Sequence, residues 1–172
     1  MKNSLAVIIP AYNEQDTIKK VVKSVNFFGT PIVINDGSND GTLKILKDLN
    51  IIYINSRFNK GYDKSVATGI KKAIKLNFKY VIVIDADGQH HPDEINIFFN
   101  FLKKDYDIVL GVRPYKQRFS EKIFSFFFFF LYKISDPLCG FKAYKVSFLK
   151  TIKTINSYNS IGTEILLNGI KK

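Results

Sequence analysis

At 172 residues and 46% hydrophobic content, the chain is long enough and apolar enough to bury a core of its own, which excludes a disordered protein. Its 26 Lys+Arg against 15 Asp+Glu give a formal net charge of +11, and residues 100–172 hold 13 basic and 5 acidic of these, a balance suited to phosphate-rich ligands or anionic lipid. No arginine-rich run or nucleic-acid motif accompanies that charge, so nucleic acid is not an expected partner, no apolar stretch reaches the ~20 residues that span a bilayer, and the single cysteine, Cys139, excludes an intrachain disulfide and fits a reducing compartment.

The N-terminus runs straight into a strand pattern, LAVIIP (5–10), so no signal peptide is expected. Tyr12-Asn13-Glu14 forms the turn, and Asp16 is expected to cap a helix to about Asn26, with Ile18, Val21, Val22 and Val25 at helical spacing. PIVIN (31–35) is a second strand ended by Asp36-Gly37-Ser38, and residues 41–49 are a helix. Residues 51–55 form a third strand, and the loop Asn59-Lys60-Gly61 opens a helix over 63–76. A fourth strand, 80–84, runs into Asp85-Ala86-Asp87, and Pro92 opens a helix over 93–102. Residues 108–112 are a fifth strand. This alternation predicts an α/β fold, a mainly parallel sheet with helices on both faces, in a single domain over 1–172.

After Arg113 the pattern changes. IFSFFFFFLY (123–132) carries no charge and is flanked by Lys122 and Lys133. It reads either as a helix buried in the core or as an interfacial helix dipping into lipid with its lysines at the headgroups. Residues 136–144, DPLCGFKAY, begin as a turn and become a strand, and Thr163 is expected to cap a last helix starting at Glu164.

Four strand ends carry polar signals along one edge of the sheet, where open α/β sheets bind ligands. Asp85 and Asp87, one residue apart, would point to one side of an extended segment, and two carboxylates that close call for a hard divalent cation, Mg²⁺ or Mn²⁺. Carboxylates at the other strand ends can accept hydrogen bonds from a base or ribose. Lys60 and Lys64, beside a helix N-terminus, can answer phosphate charge.

The motifs PAYNE (10–14), NDGSNDGT (35–42), NKGYDKSVATG (59–69), DADGQHHPDE (85–94) and DPLCGFKAY (136–144) together resemble the family 2 glycosyltransferases, and most of all their dolichol-phosphate and polyprenol-phosphate sugar transferases. The resemblance implies the GT-A fold, with a nucleotide-sugar half over 1–113 and an acceptor half over 114–172, shortened at its C-terminal end. It implies a donor site of Pro10, Tyr12, Glu14, Asp36, Gly37, Lys60, Lys64, Asp85, Ala86 and Asp87, with Asp85, Asp87 and Gln89 around the metal. Arg113, with Arg118 or Lys122, would meet the acceptor phosphate, and Asp136 and Asp87 would sit at the reaction centre. The implied reaction is inverting transfer from a nucleoside-diphosphate sugar to a polyprenyl phosphate, by a cytoplasmic protein peripheral on the inner face of an anionic membrane. A sugar-hydroxyl acceptor, with Asp136 as base, is the alternative, as is a binding module without turnover. Asp63 departs from the family's usual small residue in this loop.

Overall fold

The computed structural model describes residues 3–113, 119–152, 155 and 160–170. Six strands, β1 (Leu5–Ala11), β2 (Thr30–Asn35), β3 (Ile52–Asn55), β4 (Tyr80–Val83), β5 (Ile108–Leu110) and β6 (Lys142–Lys145), form one sheet in the order β3-β2-β1-β4-β6-β5. β3, β2, β1 and β4 pair in parallel. β6 runs antiparallel between β4 and β5. The fifth strand therefore does not simply extend the parallel set; the strand predicted within 136–144 inserts before it. All seven residues of β1 are buried, as expected of a central strand covered on both faces.

The helices are α1 (Ile18–Val25), α2 (Thr42–Asp48), α3 (Tyr62–Lys75), α4 (Glu94–Lys103), α5 (Phe119–Tyr132), α6 (Val146–Leu149) and α7 (Ile161–Ile170). One face of the sheet packs an apolar cluster from α1, α2 and α4, the other a cluster from α3, α6 and α7. Phe98 of α4 stacks on Phe141 at 4.1 Å between centroids, which holds α4 over the start of β6.

Two expected caps are corrected. Thr17, not Asp16, occupies the N-cap of α1, and its hydroxyl donates to Glu14 Oε2 at 2.7 Å. α7 starts at Ile161, so Thr163 lies inside it, and the backbone N–H of Ile161 donates to Asp63 Oδ1 at 2.9 Å. That cap comes from the first turn of α3, far away in sequence, and no local pattern announces it.

α5 is not a core helix. Ser125 and Phe128 are buried, while Phe126, Phe127, Phe129, Phe130 and Leu131 stand 50–72% exposed. Ser125 and Phe128, one helical step apart, face the protein, and these five apolar side chains face out. No helix among the described residues is long and apolar enough to cross a membrane.

Candidate active site

The carboxyl ends of β1, β2 and β4 and the N-terminus of α3 surround a cleft of ≈ 380 Å³. Of the expected donor residues, Pro10, Tyr12, Glu14, Asp36, Asp85, Ala86 and Asp87 line it; Gly37, Lys60 and Lys64 do not. Asp36 is buried. Its Oδ1 accepts the backbone N–H of Lys60 at 2.9 Å and its Oδ2 that of Gly61 at 2.8 Å. The loop before α3 has orphan N–H groups to satisfy, and Asp36 satisfies them. Gly37, at φ +73°, permits this closure, since a Cβ there would stand 2.6 Å from the backbone of Phe58 and Asn59. Lys60 thus contributes its main chain, and the side chains of Lys60 and Lys64 are exposed.

Asp36→Ala is therefore expected to do two things. It leaves the Lys60 N–H without its acceptor and the Gly61 N–H with Asn59 Oδ1 alone, at about 1–3 kcal/mol of stability, and it loosens the loop that forms one wall of the cleft. A lowered melting temperature together with weaker nucleotide binding is the expected result. Unchanged melting would show that the loop holds itself.

β4 stops at Val83, so Asp85 and Asp87 sit beyond the strand, in a turn closed by Gly88 at φ +76°. Strand alternation is not what brings them together, yet both line the same cleft walls. Asp85 accepts the Tyr62 hydroxyl on Oδ1 at 3.0 Å, and His90 Nε2 lies 3.2 Å from its Oδ2. Burial alone would raise the Asp85 carboxyl, but the hydrogen bond and charge of His90, with the Tyr62 hydroxyl, outweigh it and hold the pKa below the ordinary value. His90 moves up in turn, through its hydrogen bond to Asp85. Gly140 makes room for the carboxylate, since a Cβ there would meet Asp85 Oδ2 at 2.4 Å.

Asp87 is exposed, and its Oδ1 accepts the backbone N–H of Gln89 at 2.9 Å. Gln89 lines the adjoining cleft with both aspartates. Among the described residues there is no group of three or more His, Cys, Asp or Glu suited to holding a metal. Two carboxylates and one carboxamide are hard oxygen donors that leave positions open, which fits an ion completed by phosphate oxygens and water.

The adjoining cleft, ≈ 830 Å³, runs from these residues to Arg113. Arg113 grips Asp136 through Nε to Oδ2 at 2.9 Å, Nη2 to Oδ1 at 3.0 Å and its backbone N–H to Oδ2 at 3.2 Å. The Asp136 side chain is fully buried, while that of Arg113 is 29% exposed. Lys122 is exposed on α5. Arg118 lies outside the described residues.

Four residues gain a place that the motifs alone did not give them: Tyr62 and His90 on Asp85, Asp63 on α7, and Lys142 beneath the site. His90 and Lys142 carried a usable signal. One falls five residues after Asp85, and the other shares a strand face with Tyr144. The contact of Tyr62 with Asp85 depends on how α3 packs.

A mainly parallel sheet with a paired-aspartate turn at its carboxyl edge is the mark of a GT-A glycosyltransferase. The chain belongs to glycosyl transferase family 2, whose model matches residues 6–152. It is 32% identical to the UDP-N-acetylglucosamine–dolichyl-phosphate N-acetylglucosaminyltransferase of Methanococcus voltae, over 85% of this chain and 71% of that one. It is 25% identical to the polyprenol monophosphomannose synthase of Mycolicibacterium smegmatis, over 85% of this chain and 63% of that one. In fold it is similar to glucosyl-3-phosphoglycerate synthase from Mycobacterium tuberculosis, solved with Mn²⁺, UDP and glucosyl-3-phosphoglycerate (TM-score 0.77, 17% identity, 98% of this chain and 65% of that chain).

Proposed function

We propose that the protein transfers a sugar from a nucleoside-diphosphate donor to a polyprenyl phosphate at a membrane surface, with inversion at the anomeric carbon and with Mg²⁺ or Mn²⁺ held by Asp85, Asp87 and Gln89. One observation carries the reading. The Arg113–Asp136 pair joins the two ends of the excursion that contains α5, so the exposed aromatic helix is rooted in the wall of the active cleft. A lipid acceptor needs that combination of an apolar surface next to a fixed cation.

Pro10, Tyr12, Glu14 and Asp36, which line the cleft, would flank the nucleoside, with the N-terminal end of α3 towards the diphosphate. A bound divalent cation would offset charge growing on the departing diphosphate. An acceptor phosphate is already an anion near neutral pH and needs no strong base to attack. Asp136 has both oxygens on Arg113, so its part is to orient the guanidinium towards that phosphate. A sugar-hydroxyl acceptor would instead require Asp136 to take a proton while bound to Arg113. The location this implies is the cytoplasmic face of an anionic membrane.

The test is a panel of nucleotide sugars with and without a polyprenyl phosphate, read as nucleoside diphosphate release. Release that depends on the lipid phosphate is expected. Release with sugar acceptors alone would favour polysaccharide synthesis, and binding without release would leave a module without turnover.

The membrane part has its own check. Each inserted phenylalanine contributes roughly 1.5–3 kcal/mol, and each basic residue near anionic lipid about 1 kcal/mol. Phe127→Ser/Phe130→Ser, both exposed, should lose sedimentation with phosphatidylserine vesicles and keep its melting temperature. Phe128→Ser, at the buried row, should melt lower. Full vesicle binding by the exposed pair variant would sink the membrane role of α5.

A further inference from the structure

A third cavity, ≈ 150 Å³, lies on the α3–α7 face of the sheet. Lys142 lines it and is only 7% exposed. β6 sends Lys142 and Tyr144 to the same face, and Tyr144 belongs to the apolar cluster there. An ammonium in that position has given up most of its water, and burial lowers its pKa. It has three N–H donors, of which one goes to the carbonyl of Cys139, and no carboxylate among the described residues lies within ion-pair distance. Gly162 brings the first turn of α7 so near that a Cβ there would stand 2.7 Å from Lys142 Nζ. A helix N-terminus does not stabilise a cation, so the packing of α7 does not account for this lysine.

Position supplies the rest. Tyr62 lines this cavity as well as the donor cleft and the Arg113 cleft. Leu138 and Gly140 line both this cavity and the Arg113 cleft, and Gly140 is the residue against which Asp85 packs. The cavity therefore adjoins both the donor cleft and the Arg113 cleft. Its wall holds a carboxylate (Asp63, one oxygen of which accepts the Ile161 N–H), hydroxyl oxygens whose protons go to Asp85 (Tyr62) and Thr163 (Ser160), and the ammonium of Lys142. Such a mixture of donors and acceptors matches hydroxyl groups, which both donate and accept.

We propose that this cavity receives the sugar ring of the donor, with Lys142 donating a hydrogen bond to a substituent oxygen of that ring. The proposal rests on the donor reading above, and it makes Lys142 a specificity-determining residue. The sugar-free nucleotide does not reach it.

Calorimetry on the full chain in Mn²⁺ tests this, with UDP, UDP-glucose, UDP-N-acetylglucosamine, GDP and GDP-mannose as probes. The variants are Lys142→Met, which keeps the side chain's length, and Gly162→Ala, which presses on the ammonium without removing it. Both should bind the sugar-free nucleotide within twofold of the parent and lose at least tenfold in affinity for its sugar conjugate. If Lys142→Met melts early, Gly162→Ala carries the same comparison. Equal loss for nucleotide and conjugate, or no loss for either, overturns the sugar subsite and leaves the donor reading intact. No binding of any probe by the parent overturns the donor reading and the subsite with it.

Discussion

Asp87→Ala is expected to lower sugar transfer by about 10³-fold while leaving the fold untouched. Asp87 is exposed, and its neighbours need it only for the Gln89 backbone contact, so the stability change should stay within about 0.5 kcal/mol. Its loss removes one of the two carboxylates that can share a cation with a diphosphate, and groups that stabilise charge at a leaving oxygen carry about 10²–10³-fold or more in rate. Nucleoside diphosphate binding by the parent should fall in chelator, and binding by the variant should be weak with or without it. Equal affinity of the parent in Mn²⁺ and in chelator would end the metal assignment for this turn.

The second large effect is on stability. In Arg113→Ala the fully buried Asp136 side chain loses its bidentate guanidinium partner. Removing one member of a buried ion pair costs 3–5 kcal/mol in general, and the partial exposure of Arg113 argues for the lower end, about 3 kcal/mol. For a chain of this size that is a fall of roughly 6–12 °C in melting temperature. Arg113→Lys keeps a charge but not the fork, so it should fall between parent and alanine. A melting temperature for Arg113→Ala within about 2 °C of the parent would show that Asp136 does not rely on this arginine.

The elements of the first half were legible because local signals agree there. Ile18, Val21, Val22 and Val25 repeat at helical spacing and are all buried. The strand cores are unbroken apolar runs that end in polar turns. What stayed hidden depends on residues far apart in sequence. Asp36 reads only as the start of the turn Asp36-Gly37-Ser38, because the loop that covers it lies 24 residues on. Asp63 looked like a departure from a small-residue pattern, and it is the acceptor for the N-terminus of α7, 98 residues away. The reversed direction of β6 was illegible for the same reason, since DPLCGFKAY carries no mark of which strand it will join. In α5, composition alone left core and surface both open, and the rows that separate Phe128 from Phe127 exist only once the helix is docked.

The insertion of β6 between β4 and β5 bears on the order in which the chain becomes native. A nascent chain that has emerged only to Arg113 holds β1 to β4 with the far edge of β4 open, and β5 without the strand it pairs with among the described residues. An open edge beside an apolar face is a template for the wrong partner. Residues 142–145 close it, and the same four residues begin two positions after Gly140, the glycine that seats Asp85. The parallel part of the sheet and the aspartate turn are thus completed in one step, when residues 140–145 arrive, and until that step the open edge of β4 is exposed to misassembly.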